Sequence, residues 1–79
     1  MSVVPLTRMG SVTLGQWIKK ERLLRGWSQA QFAGLLHVNR SAISQWESGV
    51  TSPHRLRRDD LESWFGEEIP VKIAKATWG

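Results

Sequence analysis

Apolar residues recur three and four positions apart from residue 13 onward, which predicts a series of amphipathic helices. The first begins at Thr13. Thr13 and Gln16 have the spacing of a capping box, in which each side chain accepts a hydrogen bond from the other residue's backbone amide. Gly26 predicts the end of this helix. The apolar positions of the first helix are Leu14, Trp17, Ile18 and Leu24.

Two short helices are predicted next, joined by a turn of three residues. Ser28 and Gln31 repeat the capping-box spacing at the start of the second helix. Asn39 is a good N-cap for a third helix over residues 40–47. The apolar positions of the second helix are Phe32, Ala33, Leu35 and Leu36. Those of the third helix are Ala42, Ile43 and Trp46.

A fourth helix is predicted after the Ser52-Pro53 pair, with Ser52 as its cap and proline in its first turn. Gly66 predicts its end. Its apolar positions are Leu56, Leu61, Trp64 and Phe65. The chain is therefore expected to be all-α, a bundle of four to five helices.

The segment after Pro70 fits two structures. Apolar and polar residues alternate over residues 71–73, as in a strand, and we rank a short C-terminal strand first. Val71, Ala74 and Trp78 also have the spacing of a fifth helix. The sequence leaves these two alternatives open.

The charge of the chain is unevenly distributed. Residues 1–58 carry nine basic and two acidic side chains, whereas residues 59–79 carry two basic and five acidic ones, for a net charge of +4. A basic body with an acidic end is typical of a protein that binds a polyanion such as nucleic acid.

Several functional classes are not supported by the sequence. There is no cysteine, and the two histidines do not form a metal-ligand pattern. No glycine-rich phosphate loop and no nucleophile with a His–carboxylate pair is present, so we expect no enzyme, no cofactor and no small-molecule substrate. No stretch has the composition of a signal peptide or of a membrane span. We therefore expect a soluble, cytoplasmic protein.

The second and third helices have the spacing of a helix-turn-helix unit. Because the turn is too short for antiparallel packing, the third helix must cross the second at a steep angle. Ile43 and Trp46 then face the second helix. The polar residues Arg40, Ser41, Ser44 and Gln45 face solvent. Arginine pairs with guanine and glutamine with adenine in the major groove, so this face is predicted to read bases.

A set of residues spread over positions 14–65 recurs in a characteristic order and spacing. They are Leu14-Gly15, Ile18, Arg22, Gly26-Trp27-Ser28-Gln29, Phe32-Ala33, Val38-Asn39-Arg40-Ser41, Ile43-Ser44, Trp46-Glu47, Gly49 and Pro53. In this pattern the chain resembles the Cro/cI-type helix-turn-helix family, the lambda-repressor-like domains of bacterial and phage repressors. The resemblance implies a lambda-repressor-like bundle that binds duplex DNA.

By position in the family pattern, the resemblance assigns base-reading roles to Arg40, Ser41 and Gln45. Asn39 and Ser44 lie where the family contacts the DNA backbone and, less often, bases. We assign Asn39 to phosphate and Ser44 to the base-reading group.

The resemblance also implies phosphate contacts outside the third helix. Gln29 corresponds to the glutamine that binds phosphate and supports the recognition helix. Thr51, Ser52 and Arg55 lie in the loop where the family contacts phosphate again.

A structural ion pair is implied between Arg22 and Glu47, which would tie the first helix to the end of the third. Two positions depart from the family pattern. His37 stands where the family prefers glycine in a left-handed turn, so some strain is expected. Glu21 stands where many members bury leucine, and we expect Trp17 or Leu24 to occupy that space.

Three parts of the chain are distinguished: a flexible arm over residues 1–11, a DNA-binding domain over 12–66 and a tail over 67–79. The tail is expected to form a dimer interface. The residues assigned to it are Ile69, Val71, Ile73 and Trp78. Among the tryptophans, Trp27, Trp46 and Trp64 are expected in the core, with Trp17 half-exposed.

The resemblance implies a sequence-specific DNA-binding transcriptional regulator. The expected form is a Cro-like repressor of phage or plasmid type, a dimer that binds a palindromic operator through helix 40–47. The alternative is an antitoxin-type regulator whose tail binds a protein partner. The operator and the regulated gene cannot be read from the sequence.

Overall fold

The computed structural model describes residues 12–79, so the predicted arm over residues 1–11 lies outside the described part. Within residues 12–79 the chain is all-α, as predicted, with five α-helices and no strand. The helices are α1 (Leu14–Leu24), α2 (Gln29–Leu36), α3 (Arg40–Ser48), α4 (Arg58–Phe65) and α5 (Val71–Trp78).

Both predicted capping boxes are present. The Thr13 hydroxyl accepts from the Gln16 amide at 3.1 Å, and the Gln16 side-chain oxygen accepts from the Thr13 amide at 2.9 Å. Ser28 and Gln31 make the same pair of bonds at 3.0 and 2.8 Å. Each box satisfies two backbone amides that a helix start leaves without partners, which fixes where α1 and α2 begin.

The end of α2 places a non-glycine residue in a left-handed conformation. His37 has φ 59° and is the one non-glycine residue with positive φ within residues 12–79. The Val38 amide donates to the Ala33 carbonyl at 3.0 Å and the His37 amide to the Gly34 carbonyl at 3.2 Å. These two bonds form a Schellman motif, which requires the left-handed residue. His37 therefore bears the strain predicted from the sequence.

The core lies where α1, α2 and α3 meet, and α4 and α5 contribute buried residues to it. Ile18, Phe32 and Ile43 have no exposed surface. From α4, the Phe65 ring stacks on Phe32 at 5.1 Å between centroids and meets Trp17 edge-on at 5.3 Å. The five helices therefore share one core.

Two tryptophan predictions were wrong. Trp17 is buried rather than half-exposed, because its ring packs edge-on against Phe65 in the core. Trp64 is 45% exposed rather than buried, and its ring meets Trp27 edge-on at 6.3 Å. Its position at the end of α4 leaves nearly half of the residue exposed to solvent.

α1 crosses α3 at Gly15, which is buried. A Cβ atom at this position would lie 1.8 Å from the Trp46 carbonyl oxygen. Only glycine lets the two helix backbones approach this closely, so Gly15 sets the distance between α1 and α3.

Glu21 occupies the space in which a leucine side chain was expected. Its carboxylate is buried and lies 2.8 Å from Arg25 Nη1, one helix turn along α1. Leu24 is exposed, so of the two expected substitutes only Trp17 is buried. The Glu21–Arg25 ion pair therefore occupies a position at which many members of the family bury leucine.

The C-terminal segment is a helix, so the strand ranked first from the sequence was wrong. Ile69 is 1% exposed within the core of its own chain, and this packing positions α5 against α1. Ile69 is therefore not available as the dimer contact predicted for it. Glu62 on α4 supports the connection, because its carboxylate accepts from the Ile69 amide at 2.8 Å and from Arg58 Nε at 3.2 Å.

The start of the fourth helix was also placed too early. A 3₁₀ helix, Arg55–Arg57, precedes α4, and His54 rather than Ser52 caps it. The His54 Nδ1 atom accepts from the Leu56 amide at 3.1 Å. Leu56 is 81% exposed and contributes nothing to the core. Pro53 is buried instead, so a tertiary contact determines where the helix begins.

Candidate nucleic-acid interface

α3 has one buried and one exposed face. Ile43 and Trp46 are buried against the core. The opposite face carries Arg40, Ser41 and Gln45, all exposed, and the half-buried Ser44. The structure therefore brings the four residues with predicted base-reading roles together on one polar face, with no carboxylate among them.

The turn before α3 leaves Asn39 exposed at the N-cap position. Its backbone is extended, with φ −77° and ψ 151°, but its side chain makes no capping hydrogen bond. The Asn39 amide group therefore faces solvent next to Arg40. This geometry is compatible with the phosphate contact predicted for Asn39.

The other end of α3 is held by a buried network around Glu47. Arg22 Nε lies 2.7 Å from Glu47 Oε2, and Arg22 Nη2 donates to Oε1 at 3.0 Å. The two side chains are 7% and 4% exposed. Arg22 Nη1 also donates to the Trp27 carbonyl at 2.8 Å. Bidentate, charge-assisted bonds of this kind are among the strongest hydrogen bonds in proteins.

Gln29 joins the same network. Its Nε2 atom donates to Glu47 Oε1 at 3.1 Å, so α2 as well as α1 holds the end of α3. The side chain is half-buried at the first position of α2. Gln29 therefore supports α3 directly, while its phosphate contact stays a prediction.

The loop after α3 carries the remaining predicted phosphate contacts. The Val50 and Thr51 amides donate to the Gln45 carbonyl at 3.0 and 3.3 Å, which ties the start of the loop to α3. Thr51, Ser52 and Arg55 are exposed. The loop thus continues the polar surface of α3.

Ion pairs reduce the number of basic side chains available to a polyanion. Arg22 is paired with Glu47, and Arg25, which follows α1, with Glu21. Arg57 lies 3.6 Å from Asp60, and Arg58 lies 3.2 Å from Glu62. Arg57 also donates to the Leu36 carbonyl at the end of α2, at 2.9 Å. Within residues 12–58, the exposed basic side chains without an ion pair in the described structure are Lys19, Lys20, Arg40 and Arg55.

Sequence reasoning missed the Trp27 carbonyl, which holds Arg22, and the Leu36 carbonyl, which holds Arg57. A backbone acceptor leaves no mark in the side-chain pattern. Among the described residues there is no cluster of three or more His, Asp or Glu side chains that could hold a metal ion. No helix within residues 12–79 is long and apolar enough to cross a membrane.

The model of the helix-turn-helix family matches residues 18–56 of the chain, which include most of α1, all of α2 and α3, and the following loop. The matched region therefore contains the exposed face of α3, the Glu47 network and the loop. No characterised protein and no solved structure shows significant similarity to the chain.

Proposed function

Because this chain belongs to the Cro/C1-type helix-turn-helix family of DNA-binding transcriptional regulators, we propose that it is a repressor that binds a palindromic operator as a homodimer. The family is a DNA-binding family and not an enzyme family. The observation that carries the proposal is the exposed face of α3, which is polar and free of carboxylates. We place its action in the cytoplasm of a bacterium, as a phage or plasmid regulator.

In this proposal α3 lies in the major groove. The Arg40 guanidinium pairs with O6 and N7 of a guanine, and the Gln45 amide pairs with N6 and N7 of an adenine. Ser41 and Ser44 contact neighbouring base edges through their hydroxyls, which donate and accept. The buried network at Glu47 supports this arrangement, because it fixes α3 before DNA binds.

Phosphate contacts set the position of the domain on the duplex. The residues that contact phosphate around α3 are Gln29, Asn39, Thr51, Ser52 and Arg55. All five are at least partly exposed, which supports this assignment.

The dimer places two α3 helices in successive major grooves, roughly 34 Å apart. We propose that residues 12–66 bind DNA and that the tail over 67–79 contributes to the dimer through its exposed side. Val71 is 70% exposed, whereas Ile73 and Trp78 pack partly against their own core. A Val71→Glu variant should therefore shift sedimentation toward the monomer and weaken operator binding. A dimer unaffected by this change would remove the tail from the interface.

Base reading is tested by Arg40→Ala and Gln45→Ala in a binding selection with random duplex DNA. Each should lower operator affinity by about 1–3 kcal/mol and relax the preference at one base position. Lys20→Ala is the control, since Lys20 is exposed on α1 and should leave the selected sequence unchanged. If both α3 variants select the wild-type sequence, α3 is not the reading element.

The salt dependence of binding tests whether the chain binds DNA, a property that the repressor shares with the antitoxin-type alternative. The logarithm of the affinity should fall linearly with the logarithm of the salt concentration, by about 0.9 for each phosphate that a Lys or Arg side chain neutralises. A flat plot, together with no selected sequence, would refute the repressor and favour a protein-interaction module. Co-purification of a second protein from the native host would favour the antitoxin-type alternative.

A further inference from the structure

α5 is hydrogen-bonded to the loop that follows α3. The indole Nε1 of Trp78 donates to the Pro53 carbonyl at 3.0 Å, across 25 residues of sequence. Pro53 is buried and Trp78 is half-buried, so water competes weakly for this bond. The last turn of α5 therefore holds the middle of the loop.

The other hydrogen bonds of the loop are local. The Val50 and Thr51 amides bond to Gln45 at the end of α3, and the His54 ring bonds to the Leu56 amide two residues on. Among the described residues, the Trp78 bond is the one that ties residues 50–54 to a distant element. Without it, residues 52–54 have no hydrogen bond in the described structure to any element beyond the adjoining 3₁₀ helix.

A cleft of about 300 Å³ lies beside the loop. Its lining includes Gly49, Thr51 and Ser52 from the loop and Ile73, Ala76 and Thr77 from α5, together with the start of α1 and Trp46. Thr51 and Ser52 are exposed, whereas the neighbouring Pro53 is buried and accepts the bond from Trp78. The bond to Pro53 therefore restrains the loop next to its two exposed polar residues.

We propose that Trp78 is a positioning residue for DNA binding, which holds the loop so that Thr51, Ser52 and Arg55 meet the phosphates. This rests on the proposed function. Because phosphate contacts position the protein and base contacts specify the sequence, Trp78 controls affinity and leaves the base preference to α3. The tail thus acts on DNA binding within its own chain, in addition to any contact with a second copy.

The test is Trp78→Phe in the full chain, which keeps an aromatic ring and removes the N–H donor. Trp64→Phe is the matched control, because Trp64 lies at the end of α4 and its indole makes no hydrogen bond in the described structure. Trp78→Phe should bind the selected operator about three- to tenfold more weakly, since the loop must be ordered on binding. Its salt slope should be smaller by about 0.9, because Arg55 is the one cation among the three phosphate-contacting residues and only a cationic contact releases counterions. The selected sequence and the sedimentation should match the wild type, and Trp64→Phe should match it throughout.

A double-mutant cycle with Arg55→Ala separates positioning from a general loss of stability. If Trp78 acts through the loop, Trp78→Phe should weaken binding less in the Arg55→Ala background than in the wild type. Equal effects in both backgrounds, or wild-type affinity and salt slope for Trp78→Phe, would overturn the inference and leave the proposed function intact. A wild type that selects no DNA sequence would instead refute the proposed function.

If Trp78→Phe does not fold, the inference can be tested on the wild-type protein instead. The indole N–H of Trp78, assigned by NMR, should exchange with solvent more slowly than that of the exposed Trp64. Slow exchange supports the restraint on the loop. Exchange as fast as in an unstructured peptide shows that Trp78 does not hold Pro53 and overturns the inference.

Discussion

Gly15→Ala should test how closely α1 and α3 must approach. The added Cβ would lie 1.8 Å from the Trp46 carbonyl oxygen, whereas ordinary van der Waals contact begins near 3.4 Å. The two helices must therefore separate by 1.6 Å at their crossing, the difference between these two distances. A backbone carbonyl cannot move aside by changing rotamer, so the strain has to be distributed over whole helices.

The expected loss of stability follows from two opposing terms. Alanine is favoured over glycine within a helix by up to about 1 kcal/mol. Overpacking of a close contact costs about 1–3 kcal/mol. We expect Gly15→Ala at the upper end of that range, because the added Cβ meets a backbone carbonyl rather than a movable side chain. The net loss is about 2 kcal/mol, a large share of the roughly 4–12 kcal/mol expected for a chain of this length. It corresponds to a fall of about 8–16 °C in melting temperature.

Gly34→Ala is the matched control. Gly34 is also within a helix, but a Cβ there would have no atom within 4 Å. This variant should gain about 0.5–1 kcal/mol and melt at a higher temperature than the wild type. Thermal unfolding followed by circular dichroism gives both values. If Gly15→Ala also melts at or above the wild-type temperature, the close crossing of α1 and α3 is not required and the reasoning fails.

Three further predictions concern stability. Arg22→Met should lower the free energy of unfolding by about 3–5 kcal/mol in denaturant unfolding, because it leaves the Glu47 carboxylate buried without its charge partner. As a control, Lys20→Met at an exposed position should change it by less than about 1 kcal/mol. Similar losses for both variants would argue against a buried pair. His37→Gly should raise stability by about 0.5–1 kcal/mol, since it relieves a left-handed side chain; a lower melting temperature would contradict this. The pKa of Glu62 lies below its ordinary value of 4.5, chiefly because the following α4–α5 connection donates a backbone N–H to its carboxylate. The stability from this interaction is therefore present above pH 4.5 and is lost as the pH falls through the lowered pKa. The melting temperature of Glu62→Gln should therefore fall less than that of the wild type as the pH is lowered below 4.5. If both proteins show the same pH dependence, Glu62 does not contribute to the loss of stability in acid.

Local signals were sufficient for the first three helices. The capping boxes at Thr13 and Ser28 involve residues three positions apart, so their geometry can be predicted from spacing alone. The left-handed turn at His37 was predicted from the family resemblance and is present at φ 59°. The exposed face of α3 followed from the positions of Ile43 and Trp46, because residues opposite a buried stripe must face solvent.

Long-range packing decided the parts that the sequence predicted poorly. The short segment 71–73 alternates like a strand, but burial of Ile69 and Ala74 in the core makes it the start of a helix. The buried Pro53, whose carbonyl is bound by Trp78, moves the start of the fourth helix past Ser52. Neither contact can be read from local spacing, because the partners are far apart in the chain.

Under the proposed function, the support of α3 at Glu47 has a consequence for how operator preference changes during evolution. Arg22 and Gln29 hold the carboxylate from two other helices, and none of these three residues lies on the exposed face of α3. Substitutions at Arg40, Ser41 or Gln45 therefore leave the buried anchor untouched. A duplicated copy of such a gene could acquire a new operator through a few surface substitutions without first regaining a stable fold.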